Sequence, residues 1–304
     1  MTETTDLNAE LENSPGMDTN PATARGWASE QLDMDAYLAR IGYQGPLEPT
    51  LETLRGLHLA HTTAIPFENS EMLFGHEVRV DLPGIQDKLV RRKRGGYCFE
   101  QNLLLAAVLE RLGFTVTGLS ARIRAGSANL RPVAHATLLV TIPADPTGQR
   151  YLADVGVGDE GLFEPIPLVA GIEVRHGDWT HRIDRETDGT WVLRLQRPDG
   201  WHDLYGFTTE PNYRADYAVQ NFYTANHPSS PFLRNILASR SGVDAGYSLT
   251  NLELVTNYPG KPAERRTLTP EEVPELIVEL IGVPLDEAER AKLVELAAAK
   301  AANS

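Results

Sequence analysis

Three residues of this sequence have the types and spacing to do covalent chemistry together: Cys98, His135 and Asp154. Cys98, the chain's only cysteine, lies in RRKRGGYCFEQN, where a helical pattern begins. A helix N-terminus carries roughly half a positive charge, which favours a thiolate there. Gly95 and Gly96 remove two side chains from the approach, so another segment or a substrate can come close to the sulfur. A lone cysteine is more commonly an inert buried hydrophobe. The double glycine and the helix start argue against that here.

A cysteine nucleophile needs a base, and the base needs an orienting acid. Of eight histidines, His176, His181 and His202 have Asp, Thr or Arg as neighbours. His58 and His61 share a helical face but lack a third ligand of matching pattern, so no metal is expected. In VAHATLLVTI, alternation sets Ala134, Ala136, Leu138, Val140 and Ile142 on a core face. His135, Thr137 and Leu139 then turn the other way, toward the helix bearing Cys98. Asp154, in YLADVGVG, shares a face with Leu152 and Gly156, and a charge in so apolar a strand is costly unless paired. Two adjacent antiparallel strands would bring His135 and Asp154 side by side. Cys, His and Asp in that order make a thiol triad that forms a thioester on Cys98. From the residues alone, that triad suits an acyltransferase or a papain- or transglutaminase-like hydrolase. A non-catalytic binding protein on the same scaffold would not need all three.

The elements around these residues follow from period and punctuation. Residues 34–41 are helical and end at Gly42. Thr50 caps a second helix over 51–62 that Pro66 stops, and a third runs 98–112, with Phe99, Leu103, Ala106, Ala107 and Leu109 as its apolar stripe. After Gly113 the period becomes two, with strands near 115–124, 133–142, 150–157, 190–196 and 201–207 and a turn at 145–149. Residues 114–210 therefore read as a small antiparallel sheet or barrel. Residues 211–304 mix strands with helices at 270–281 and 286–300. The run from Gly156 to Gly161 matches GxGxxG, but LFEPIPLVAG follows it with two prolines, so the helix of a dinucleotide site is missing.

Composition narrows the partners. The formal net charge is −14, which argues against nucleic acid and anionic membranes, and no apolar run approaches a membrane span. One cysteine cannot form an internal disulfide, which fits a reducing cytoplasm. Residues 1–33 hold seven acidic residues against one arginine, with neither the basic start nor the apolar stretch of a signal peptide. They read as a disordered acidic tail ahead of a fold that starts at Met34.

Together these blocks resemble the arylamine N-acetyltransferases. RRKRGGYCFEQN resembles that family's active-cysteine signature, AHATLLV its histidine strand and LADVGVG its aspartate strand. IPFEN, DAYLARIGYQGP, LYGF and NFYTANHPSSPF resemble further family segments, so the likeness spans about 34–285. It implies an α+β fold around a papain-like Cys-His-Asp core. A helical bundle (34–113) would carry Cys98, an antiparallel β-barrel (114–210) would carry His135 and Asp154, and an α/β lid would cover 211–304. It implies ping-pong transfer of acetyl from acetyl-CoA to an arylamine, arylhydrazine or N-hydroxyarylamine. An amide synthase of the same family, acting on a carrier-bound acyl chain, is the alternative. By the same resemblance, Tyr223, His227 and Ser229 would meet coenzyme A, Phe67 and Val157 would line the acceptor pocket, and Glu68 and Arg94 would pair to brace the loop before Cys98. Val157 stands where the family often has Phe, and Ala134 where it often has Thr or Ser.

Overall fold

The computed structural model describes residues 26–127 and 129–302. Its helices are α1 (Met34–Ile41), α2 (Leu51–Ala64), α3 (Cys98–Arg111), α4 (Arg214–Asn226) and α5 (Glu287–Ala301), with shorter turns between them. Local chemistry sets the ends. The Asp33 carboxylate accepts the Ala36 N–H, Gly42 closes α1 with φ +65°, and Thr50 Oγ1 accepts the Thr53 N–H to start α2. α2 runs two residues past its expected end, because Ile65, not Ala64, is the residue whose conformation Pro66 restricts.

The first helices wrap α3, in which every residue from Cys98 to Leu109 is buried. The expected apolar stripe is therefore a whole circumference, the signature of a central helix. Its polar members survive burial because each is bonded. Glu100 holds Lys88 Nζ at 2.8 Å and the Tyr97 N–H at 3.1 Å, while Gln101 Nε2 donates to the carbonyls of Pro66 and Gly96.

The packed fold includes residues ahead of Met34, where the sequence reading set its start. Trp27 is buried, its N–H donates to Glu110 and its indole to the Val116 carbonyl, so the segment from Gly26 to Asp33 packs on α3 and the sheet behind it. The acidic-tail expectation for residues 1–25 lies outside the described residues.

Eight strands form one antiparallel sheet: β2 (Thr115–Ile123), β3 (His135–Thr141), β4 (Arg150–Ala153), β5 (Ile166–Pro167), β6 (Ile172–His176), β7 (Trp179–Arg185), β8 (Trp191–Arg197) and β9 (Gly200–Phe207). Their order is β5-β4-β3-β2-β9-β8-β7-β6, and β5 and β6 return side by side, so the sheet nearly closes into a barrel. The barrel interior is filled by Leu119, Leu139, Leu152, Leu193 and Tyr205 among others.

A second antiparallel sheet joins a two-residue strand β1 (Phe67–Glu68) to β10 (Leu237–Arg240), β11 (Gly246–Thr250), β12 (Glu253–Asn257) and β13 (Glu264–Thr267). α5 and the helical segment 272–281 cover it through Val273, Ile277, Ile281 and Leu293. The chain is thus α+β: helices, a nearly closed barrel, and a small sheet with helices against it. No helix among the described residues is long and apolar enough to cross a membrane.

Candidate active site

Cys98 opens α3 at the floor of a cavity of about 350 Å³. Its loop is threaded under another. The Gly96 N–H donates to the Pro66 carbonyl and the Glu68 N–H to the Gly96 carbonyl, both at 3.2 Å. A Cβ on Gly95 would lie 2.5 Å from the Pro66 oxygen, so the glycine is required by the crossing chain. Gly156 does the same work on the other side, where a Cβ would sit 2.6 Å from Cys98 Cα. The GxGxxG run is explained without a nucleotide: its first glycine lets the chain pass against the nucleophile, and Gly158 takes φ +102°.

β3 and β4 pair with Leu138 opposite Ala153, and one more step sets Thr137 against Asp154, just past the strand end. His135 Nε2 then meets Asp154 Oδ2 at 2.6 Å, which leaves Nδ1 for the sulfur of Cys98, a side chain that lines the same cavity and acts electrostatically on the ring. The Cys98 sulfhydryl also reaches the Ala134 carbonyl at 3.8 Å. Burial disfavours a charged His135, but the Asp154 carboxylate and Cys98 outweigh it and hold the imidazolium well above its ordinary range. Burial likewise opposes the Asp154 charge. His135, Asn102 Nδ2 and the Gly156 N–H overcome it, and the carboxyl stays below its usual pKa.

The faces of β3 are the reverse of the expectation. Ala136, Leu138, Val140 and Ile142 pack with the helices, whereas Leu139 joins the barrel interior. His135 belongs to the barrel-facing row, with its ring 4.9 Å from that of Tyr205, and it meets Cys98 because it stands at the barrel's end. Alternation identifies two faces but cannot name them when both are buried.

These observations set the chain beside known proteins. A family model described as N-acetyltransferase matches residues 50–290. The arylamine N-acetyltransferase of Mycolicibacterium smegmatis is 38% identical over 258 residues, covering 84% of this chain and 93% of the relative. The crystal structure of the Nocardia farcinica arylamine N-acetyltransferase superposes with a TM-score of 0.84 at 44% identity, over 89% of this chain and 96% of that one. The chain belongs to the arylamine N-acetyltransferase family. A further member, from Mycobacterium marinum and solved in complex with CoA, matches with a TM-score of 0.80 at 33% identity, over 87% of this chain and 98% of that one.

Within this arylamine N-acetyltransferase fold, Phe67 and Val157 both line the cavity with Cys98, as do Ile123, Phe232 and Leu237. Tyr223, His227 and Ser229 form one exposed cluster at the rim. The Tyr223 and His227 rings stack 4.6 Å apart, and Ser229 Oγ lies 2.6 Å from His227 Nδ1 and 3.1 Å from the Tyr223 hydroxyl. Of the three, Tyr223 alone lines the cavity. Arg94 and Glu68 approach only to 3.8 Å; the short contact of Arg94 is Glu289 of α5 at 2.7 Å, with Ser70 Oγ at 3.1 Å. The brace on the catalytic loop therefore extends to the C-terminal helix.

Sequence reasoning passed over three positioning residues. Asn102 lies one helical turn after Cys98 and binds both partner strands: Nδ2 donates to the Ala136 carbonyl at 2.8 Å and to Asp154 Oδ1 at 2.9 Å, and Oδ1 accepts the Val155 N–H at 3.1 Å. Its burial emerges only when the strands are in place, so the sequence offered no signal beyond its position one turn after Cys98. His58 Nε2 accepts the Asp154 N–H at 3.1 Å, and burial lowers its pKa to about 4, so the ring is a neutral acceptor. Tyr97 ties the loop to α4 by donating its hydroxyl to Asn221. His61 is no ligand either, being held between the Tyr37 hydroxyl and Gln101. His181, which has polar neighbours in sequence, is buried in the barrel with Nε2 on the Glu160 carbonyl. No cluster of three metal-ligating side chains occurs among the described residues.

Proposed function

We propose that this chain transfers acetyl from acetyl-CoA to the nitrogen of an arylamine, arylhydrazine or N-hydroxyarylamine through a thioester on Cys98. The observation that carries the reading is the Cys98–His135–Asp154 arrangement at the floor of a largely apolar cavity. Cys98, His135 and Asp154 are the catalytic residues in this reading. Phe67 and Val157 flank the acceptor, and Tyr223, His227 and Ser229 meet the coenzyme.

In the first half-reaction the Cys98 thiolate adds to the thioester carbonyl and the carbon–sulfur bond to CoA breaks. The departing thiolate takes the proton that the His135 imidazolium holds at Nδ1. Asp154 keeps the ring oriented throughout and balances its charge. One thioester replaces another, so this half is near balance and readily reversed. CoA then leaves and the acceptor enters the same cavity. An aryl amine is neutral near pH 7 and attacks directly. Now-neutral His135 takes its proton as the carbon–nitrogen bond forms and the Cys98 thiolate is expelled. The apolar walls suit a planar aromatic acceptor and exclude the water that would hydrolyse the acyl-enzyme. A single cysteine that must stay a thiol also fits work in the reducing cytoplasm.

The test is intact-protein mass spectrometry after mixing with acetyl-CoA alone. The expected result is a gain of one acetyl group on Cys98, lost in Cys98→Ala, with parallel double-reciprocal plots in steady state. An acyl-enzyme that appears only with both substrates present would overturn the mechanism. Acylation by a carrier-bound chain but not by acetyl-CoA would instead indicate an amide synthase.

A further inference from the structure

A second cavity, of about 760 Å³, lies beside the one of about 350 Å³ above Cys98. The two border each other along the connection from β2 to β3. Ile123 and Arg131 line both, Pro132 and Ala134 line the catalytic cavity, and Val133 between them lines the second. A molecule held over Cys98 reaches the second cavity by crossing Ile123 and Arg131. The walls on the two sides differ in kind. Above Cys98 they are largely apolar, with Phe67, Val157, Phe232 and Leu237. The second cavity is lined by Arg122, Arg124, Asp188 and Asp203, with the hydroxyls of Ser127 and Thr208.

Among the described residues the charges of this second cavity cancel. Arg124 is held by Glu186 at 2.7 Å and by Asp203 at 2.9 Å, and Asp188 completes three carboxylates against Arg122, Arg124 and Arg131. An anion or a cation therefore meets like charge there as readily as opposite charge. What the walls offer instead is donors and acceptors side by side. The Arg122 guanidinium donates to the Arg131 carbonyl at 2.7 Å and keeps the rest of its fork of N–H groups. Asp188 accepts the Thr190 N–H on Oδ1 at 2.9 Å. A hydroxyl both donates and accepts, so a hydroxylated chain is satisfied by either kind of wall.

We propose that the acceptor is an aryl amine with an uncharged, hydroxylated tail, its ring over Cys98 and its tail across Ile123 and Arg131 in the second cavity. The proposal rests on the acetyl-transfer reading above and narrows its substrate class. The tail is remote from the reacting nitrogen, so its contacts are the same before and during transfer. They act on KM rather than on kcat. One or two net hydrogen bonds of ordinary strength lower KM about fivefold. A plain alkyl tail of the same length has no such partners in these walls.

The test uses the full chain, acetyl-CoA as donor, and three 4-aminobenzamides. Their amide nitrogen carries hydrogen only, a six-carbon polyol or a hexyl chain. The polyol amide is expected to have a KM about fivefold below that of the unsubstituted amide, with kcat equal, and the hexyl amide to gain much less. Thr208→Trp and Ser127→Trp fill the second cavity from the end of β9 and from the β2–β3 connection. In either variant the ratio of the two KM values is expected to fall to about one. A ratio of one in the unaltered chain, a hexyl amide that matches the polyol, or a ratio unmoved in both Trp variants would each overturn the proposal. Protection of Cys98 from iodoacetamide reads the same preference without turnover. Should no amide be acetylated, the functional reading fails, and the tail is then judged by whether the polyol amide protects at about fivefold lower concentration than the unsubstituted one.

Discussion

Replacing Asn102 with Ala removes the amide that ties α3 to both partner strands, and the structure says what that costs. The Ala136 carbonyl and the Val155 N–H would stay buried without partners, at about 1–3 kcal/mol each, and the lost volume adds to this. A total of ~3–6 kcal/mol is a large share of the 5–15 kcal/mol that usually holds a fold. Asp154 would also lose one of its three donors. A hydrogen bond to a charged group contributes ~1.5–3 kcal/mol, so its pKa should rise by about 1–2 units. The sign follows from the direction of the native shift. Asp154 lies below its unfolded value, so its stabilisation is complete above the unfolded carboxyl pKa and is lost as pH falls through the folded one. In Asn102→Ala that stabilisation is smaller and its loss is complete at a higher pH, while the acid limb of activity, which follows the folded pKa itself, moves toward neutrality. Urea unfolding and single-turnover acetylation of Cys98, each followed from neutral to acid pH, read the two effects separately. Asn102→Asp keeps an acceptor for Val155 but sets a second carboxylate against Asp154, so its acid limb should move further still. An Asn102→Ala protein destabilised by less than ~1 kcal/mol, with its acid limb unmoved, would refute the positioning role.

Val157→Phe should narrow the cavity above Cys98 and add an aromatic contact. Each such contact contributes ~0.5–1.5 kcal/mol, so kcat/KM for small planar acceptors should rise roughly 2- to 12-fold while bulky acceptors lose; identical acceptor profiles would remove Val157 from the specificity argument. Asp159→Asn should stabilise the fold increasingly as pH rises from about 4 to about 7, and fully above that. Burial, reinforced by Glu160, pushes the Asp159 carboxyl up to about 7 against the opposing pull of Asn257 and Arg197, so the native chain is penalised progressively from its unfolded pKa up to about pH 7 and fully above it. The gain should approach ~4 kcal/mol at most and vanish toward pH 4; thermal unfolding across that span shows it, and a gain of the same size at both ends would contradict the buried charge.

What could be read from the sequence was what local chemistry dictates. The helix start at Cys98, its glycines and the capping residues act over a few positions, and His135 and Asp154 were identifiable because each is a lone titratable group in an apolar run. Long-range geometry was less accessible. Both faces of β3 are buried, so alternation could not say which met the helices. β6 and β7 were missed because Glu173, Arg175, Arg182 and Asp184 interrupt their apolar residues, although Arg182 finds its place over the Trp201 ring at 4.3 Å. Asn102 and His58 look like ordinary helical residues until the strands arrive beside them. Arg94 was paired with Glu68 and the two do approach to 3.8 Å, yet its short bond goes to Glu289, 195 positions away.

The two-residue strand β1 has a mechanical consequence. Phe67 pairs with Ser239 on one side and bridges Gly96 on the other, and Asn69 fastens the same stretch to the carbonyls of Phe232 and Asn235 and to the Leu237 N–H. The wall of the cavity is thus stitched by main-chain bonds to the loop that carries the nucleophile, and the C-terminal sheet cannot swing clear without tearing both seams. On the proposed mechanism one cavity then serves donor and acceptor in turn, and their alternation rests on masonry rather than on a moving gate.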